Sequence, residues 1–329
     1  MKVQELRQVL SKADRSLLEK AFVESYKNFP KRQKEEIDQI ITDILEGKDT
    51  SASAKKNSPV NFDELKGQIT FFIENAYAQN YFAPNRIIPK SQRPKWRFMV
   101  KNFIKELQKA SADDENYQES VKLLTDLYRL ICYACNYYLF STDDPFRSIG
   151  WEQSAFFQLV VKKTFGDGYS REKISALLLY AVTGGLSRES LYIFQEMVLL
   201  MELKTSDVKY MVIEEAKKLV ETQEVKLSGL GKYDGKRYYL ETAINELCNM
   251  ILITSIDLAE PEEGIAYYFK KCRKSSQEIV LYRALDVVNQ MEGDNRLWLD
   301  VYRYGLKKKI KPREFLVEEY KRRLAEPEG

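Results

Sequence analysis

The fold turns on one stretch: Val225-Lys226-Leu227-Ser228-Gly229-Leu230-Gly231-Lys232-Tyr233, then Asp234-Gly235, then Lys236-Arg237-Tyr238-Tyr239-Leu240. Asp-Gly tolerates positive φ at both centres of a tight turn, which matches the twist of two flanking strands. The stretch therefore reads as a β-hairpin, the one strand pair in a chain whose pattern is otherwise helical. The expected fold class is mainly α, in more than one domain, with a single β-hairpin near 225–240.

Immediately upstream, Val208, Met211, Val212, Ala216, Leu219 and Val220 recur at helical spacing and give one apolar face. Thr205 or Ser206 can cap that helix by accepting from an orphan backbone N–H. A second helix is expected from Arg188 to Met201, capped by Ser187 after the breaker Gly184-Gly185. A third spans Arg171 to Val182 and starts after Ser170.

Three helices closed by a hairpin over residues 170–241 resemble a winged-helix domain. The resemblance rests on Thr205-Ser206-Asp207-Val208, on Lys217-Lys218-Leu219-Val220 and on the run from Asp234 to Leu240. It implies a third helix that enters the DNA major groove and a hairpin that touches phosphate. Lys209 on the helix, and Lys226, Lys232, Lys236 and Arg237 on the hairpin, would then contact the nucleic acid. Taken without the resemblance, the same stretch is a hairpin inserted between helices.

At 329 residues, 44% hydrophobic and 31% charged, the chain has the composition of a globular protein long enough for two or three domains. A formal charge of +3 prescribes no partner, so only local clustering of charge informs. The start, Met1-Lys2-Val3-Gln4-Glu5-Leu6-Arg7, lacks the apolar core of a signal peptide, and no apolar run reaches bilayer-spanning length. A cytoplasmic protein without a membrane partner is expected.

The chain has no histidine, which removes Ser-His-Asp, Cys-His and histidine-bearing metal chemistry. Cys132 and Cys135 form a Cys-x-x-Cys pair in mid-helix, whereas a redox pair belongs at a helix N-terminus where the dipole lowers the thiol pKa. Cys248 and Cys272 are isolated, so zinc lacks a ligand set, and buried small hydrophobes are the better account. The acidic clusters Asp113-Asp114-Glu115, Asp143-Asp144 and Glu260-Pro261-Glu262-Glu263 lie at turns and helix starts, where carboxylates complement the dipole. No phosphate-cradling glycine loop is present. No catalytic signature, metal or cofactor is expected.

Residues 1–47 read as a helical module. Val3, Leu6, Val9 and Leu10 mark one stripe, Leu17, Leu18, Ala21, Phe22 and Tyr26 a second, and Ile37, Ile40, Ile41, Ile44 and Leu45 a third. Residues 48–60 are small and polar and read as a flexible linker. A helical domain is expected over 61–150, its end in the turn-forming segment Ser141–Gly150, and another over 151–329.

Within the first of these, Asn75 to Lys105 carries Arg86, Lys90, Arg93, Lys95, Arg97, Lys101 and Lys105 and no acidic residue. Tyr77, Tyr81, Phe82, Trp96, Phe98 and Phe103 are interleaved with them. Basic side chains beside exposed aromatics grip single strands and phosphate backbones. The opposing account is that Trp96, Met99, Val100, Phe103, Ile104 and Leu107 form a helical core stripe and the lysines face water. Basic residues at the C-terminal end (Arg303, Lys307–Lys309, Lys311, Arg313, Lys321–Arg323) suit helix C-termini.

Two functions from different classes follow. The first is a nucleic-acid-associated regulatory protein that binds DNA or RNA through Lys95, Arg97, Lys101, Lys209, Lys226, Lys232, Lys236 and Arg237. The second is a non-catalytic helical scaffold that binds another protein. A basic strip shared by the hairpin and the Trp96 helix favours the first, and a dry apolar groove among the C-terminal helices favours the second.

Overall fold

The buried positions Val208, Val212, Ala216, Val220, Gln223 and Leu227 form one unbroken helical stripe, and this stripe decides the hairpin question. In the computed structural model the helix they belong to runs through Ser228, so Val225–Ser228 of the expected hairpin is its last turn and Gly229–Tyr233 lies in the link to the next helix. The second half opens another helix at Lys236. Asp234 Oδ1 accepts the backbone N–H of Lys236 at 2.8 Å, and Gly235 sits at φ −60 in the right-handed helical region. Asp-Gly therefore starts a helix, and the left-handed freedom of Gly235 is not used. Among the described residues there is no strand, and the expected β-hairpin is replaced by a helix–turn–helix. The winged-helix resemblance loses the hairpin that closed it.

The structure describes residues 9–29, 61–274, 276–291 and 295–325, and of residues 30–60 Lys34, Asp38, Ile41 and Thr42. The chain divides into Met1–Asn61 and Phe62–Gly329. In the first part, α1 (Arg15–Lys27) is capped by Asp14, whose side chain accepts from Leu17 N, and it carries the second expected stripe. The linker, Val3 and Leu6 of the first stripe, and all of the third except Ile41 lie outside the described residues.

The second part has thirteen α-helices among its described residues. They are α2 (Phe62–Tyr77), α3 (Trp96–Leu107), α4 (Tyr117–Asn136), α5 (Pro145–Ile149), α6 (Gln153–Thr164) and α7 (Arg171–Val182). Then follow α8 (Tyr192–Met201), α9 (Ser206–Ser228), α10 (Lys236–Asp257), α11 (Pro261–Lys271), α12 (Gln277–Gln290), α13 (Asn295–Lys307) and α14 (Glu314–Ala325). The α7 bounds and the caps Ser170 and Thr205 agree with the sequence reading. Helix α8 begins four residues later than expected, because Ser187 Oγ and Arg188 N both bind Asp144 Oδ2 and hold that segment as a loop.

Two centres organise the packing. Trp96 stacks on Phe140 at 3.9 Å between ring centroids, beside Phe72, Tyr81 and Phe103, so the Trp96 helix has the core stripe its spacing predicts. Helix α10 is buried on nearly all sides from Ala243 to Ser255 and packs against α7, α8, α9, α11 and α12. A helix apolar all round belongs in the middle of a domain. From Phe62 the core is continuous through 141–150, with Phe146 and Ile149 in it.

Candidate functional site

On α4, residues Arg129, Cys132, Tyr133 and Asn136 stand at i, i+3, i+4 and i+7, which puts all four on one face, and the extended C-cap residue Tyr137 continues it. That face forms one wall of a groove of about 580 Å³. The other walls are Tyr77 of α2, Leu179, Tyr180 and Thr183 from the end of α7, Gly184 and Gly185, Gln223 and Lys226 of α9, and Tyr239 of α10. A volume of this order matches ligand pockets, about 300–1,000 Å³.

The tyrosines are ordered by one another. Tyr133 stacks on Tyr137 at 4.3 Å with rings 20° apart, and Tyr77 meets Tyr133 edge-on at 5.3 Å. The Arg129 guanidinium lies 5.5 Å from the centre of the Tyr180 ring. Burial raises the Tyr77 phenol, which stays neutral and available as a hydrogen-bond donor. Among the residues that line the groove, the charged ones are Arg129 and Lys226, both cationic.

The floor is fixed by the Gly184-Gly185 link. Gly184 has φ +95, and a β-carbon on Gly185 would lie 2.2 Å from the Cys132 carbonyl oxygen. Gln153 Nε2 donates to Gly185 O at 3.1 Å, and Tyr192 Oη donates to Gly184 O at 2.8 Å. The breaker read in the sequence is thus the point where the α7–α8 connection crosses the backbone of α4.

Of the eight basic residues expected to bind nucleic acid, Lys226 alone lines this groove. Lys95, Arg97 and Lys101 are exposed on the 3₁₀ turn and α3, with Arg97 over the Phe98 ring at 5.0 Å and Lys101 Nζ packed against Gly150. Lys209 is bound to Asp257 at 2.5 Å. Arg237 donates to the Leu227 and Leu230 carbonyls at 3.3 and 3.4 Å and pairs with Glu241, so it caps α9 instead of reaching outward. Lys232 leans on the Tyr233 ring at 5.6 Å, and Lys236 is exposed at the start of α10. No strip shared by a hairpin and the Trp96 helix exists, because there is no hairpin among the described residues.

Of this lining, sequence reasoning singled out Lys226, and Tyr77 as one aromatic of the Asn75–Lys105 segment; Arg129, Tyr133, Tyr137 and Tyr180 were not singled out. The signal for Arg129 and Tyr133 is the i, i+3, i+4, i+7 run on α4. The Cys132–Cys135 pair behaves as its mid-helix position implies. Burial pushes the Cys132 thiol up to about 12 and raises Cys135 as well.

The C-terminal helices hold a second cavity, about 410 Å³, whose lining includes Glu246, Lys274, Arg283 and Asp286. Its lining mixes these charged groups with apolar residues such as Leu191, Ile193 and Val287, so it is not the dry apolar groove that favours a scaffold. Among the described residues no group of acidic and thiol side chains is arranged to hold a metal, and no helix is long and apolar enough to cross a membrane. No family model, curated protein or solved structure matches the chain.

Proposed function

We propose that the protein is nucleic-acid-associated and holds single-stranded nucleic acid in the tyrosine groove between α2, α4, α7, α9 and α10. The observation that carries the reading is a lining of tyrosines whose charged members, Arg129 and Lys226, are both cationic. Bases stack on aromatic faces whatever their sequence, and cations alongside neutralise phosphate. Duplex DNA suits the groove poorly, since paired bases cannot reach the rings.

The test is fluorescence anisotropy with labelled single-stranded DNA and RNA against the matching duplexes, over a range of salt. Two phosphate contacts give a log–log salt slope of about −1.4, and Arg129→Gln or Lys226→Gln should each remove about 0.7 of it. Tyr133→Ala should weaken binding about tenfold or more, the scale of one lost stacked base. Absence of single-strand binding at low salt, or full binding by Tyr133→Ala, would overturn the reading and leave the protein-binding scaffold as the account of the groove.

A further inference from the structure

The second cavity combines features that no structural role accounts for. Glu246 of α10 lines it; behind Glu246 lies Glu196 of α8, which is completely buried. Neither oxygen of Glu196 is reached by an N–H or hydroxyl donor, and its carboxyl faces that of Glu246. Glu246 has one other direct partner, the Asn249 amide, which donates to Oε2 at 2.6 Å. Burial raises both carboxyls, and the facing partner raises Glu196 further, so the pair keeps a proton between them.

Lys274 and Arg283 stand in the same lining. Both favour the Glu246 carboxylate electrostatically, yet neither is in ion-pair contact with it among the described residues. Arg283 pairs with Asp286 on its own helix at 3.6 Å, and Lys274 has no ion-pair contact among the described residues. The cavity thus pairs Arg283 with Asp286 but leaves Glu246 without ion-pair contact to Lys274 or Arg283. A cation alone would meet Lys274 and Arg283, and an anion alone would meet Glu246 and Asp286. A ligand that carries both charges satisfies both ends.

We infer that this cavity binds a small zwitterion of the α-amino-acid class, with its ammonium on Glu246 and its carboxylate at Lys274 and Arg283. The side chain then rests among Leu191, Ile193 and Tyr238. The ammonium takes the place of the proton the carboxyl pair holds, which leaves as the ligand enters. A volume near 410 Å³ limits the occupant to one small molecule. The cavity shares no lining residue with the tyrosine groove, so the inference stands independently of the nucleic-acid reading.

The experiment is isothermal titration of the full chain with the protein amino acids one at a time, followed by the best of them as its N-acetyl and its amide derivative. At least one amino acid should bind, and blocking either end should weaken it about tenfold or more, the scale of a lost charge-assisted hydrogen bond. Glu246→Gln and Lys274→Gln should weaken the free amino acid similarly, and Lys226→Gln, in the other groove, should not. Titration in buffers of different ionisation enthalpy should show proton release. Failure of every amino acid to bind, or full affinity after N-acetylation, would overturn the inference without relying on the folding of any variant.

Discussion

Replacement of Glu196 by Gln tests whether two carboxyls share a proton inside the fold. The side chain is completely buried, and the charged group facing it is Glu246, itself influenced by Lys274 and Arg283. Burial first, and Glu246 second, raise the Glu196 carboxyl well above the ordinary 4.5. Below 4.5 the folded and unfolded chains both carry the proton, so the residue contributes no pH dependence. As pH rises past 4.5 the unfolded chain releases its proton and the folded chain keeps it, and stability falls with rising pH. Holding an acid of this strength protonated at pH 7 sets a ceiling on that loss of about 3 kcal/mol.

Gln has nearly the same shape, does not titrate, and offers Glu246 an amide donor in place of the shared proton. Glu196→Gln should therefore match the wild type near pH 4.5 and exceed it by about 1–3 kcal/mol at pH 7 to 8. For a domain of this size that is on the order of 5 °C in Tm. Differential scanning calorimetry of both proteins from pH 4 to pH 8 reads the effect directly. A Tm difference that stays constant with pH, or a variant less stable at pH 8 than at pH 5 relative to wild type, would show that no proton is held between the two glutamates.

Other outcomes follow from single contacts. Arg237→Ala removes two hydrogen bonds to the end of α9 and should cost about 1–2 kcal/mol in urea melts while leaving oligonucleotide affinity unchanged. Gly185→Ala drives a β-carbon onto the Cys132 carbonyl and should destabilise by about 1–3 kcal/mol, with weaker oligonucleotide binding because both residues border the groove. With its thiol raised to about 12 by burial, Cys132 should resist iodoacetamide at pH 8 in the folded protein and react only in denaturant. Rapid labelling of native Cys132, found by mass spectrometry, would refute the described packing.

The contrast between α7 and α10 shows what the sequence could and could not tell. Arg171 to Val182 was legible to the residue, since a capping serine precedes an uninterrupted helical pattern and a breaker ends it. The start of α10 was not. Asp-Gly serves a hairpin turn or a helix start equally well, and Tyr238-Tyr239-Leu240 favours strand by local preference. The outcome was set at a distance, by Leu227 completing the buried stripe of α9 and by the apolar run from Ala243 onward drawing α10 into the centre. The local preference had no compensating strand partner anywhere nearby, and tertiary burial overrode it.

The site was less legible than the fold for a related reason. Charge clusters are visible in a sequence because neighbours in the chain carry them, and that is also why most of them face water or cap helices. Lys209 and Arg237 turned out to be engaged by Asp257 and by the end of α9. The tyrosine groove is assembled the other way, from side chains spread between positions 77 and 239: Tyr77 on α2, Tyr133 on α4 and Tyr137 just after it, Tyr180 on α7 and Tyr239 on α10. Each taken alone is an ordinary half-buried aromatic. The glutamate pair has the same character, since Glu196 sits unremarked in an apolar helix and Glu246 lies fifty positions further on. What marks both places as sites is an arrangement that only the folded chain exposes. In one, tyrosines stand beside Lys226 and beside Arg129, whose only ion pair among the described residues is the 3.6 Å contact with Asp126 outside the lining; in the other, Glu246 has no ion-pair contact to Lys274 or Arg283. A buried carboxyl such as Glu246, left without a cation in contact, costs stability in the empty protein, so a ligand that brings an ammonium to it gains affinity from the same arrangement.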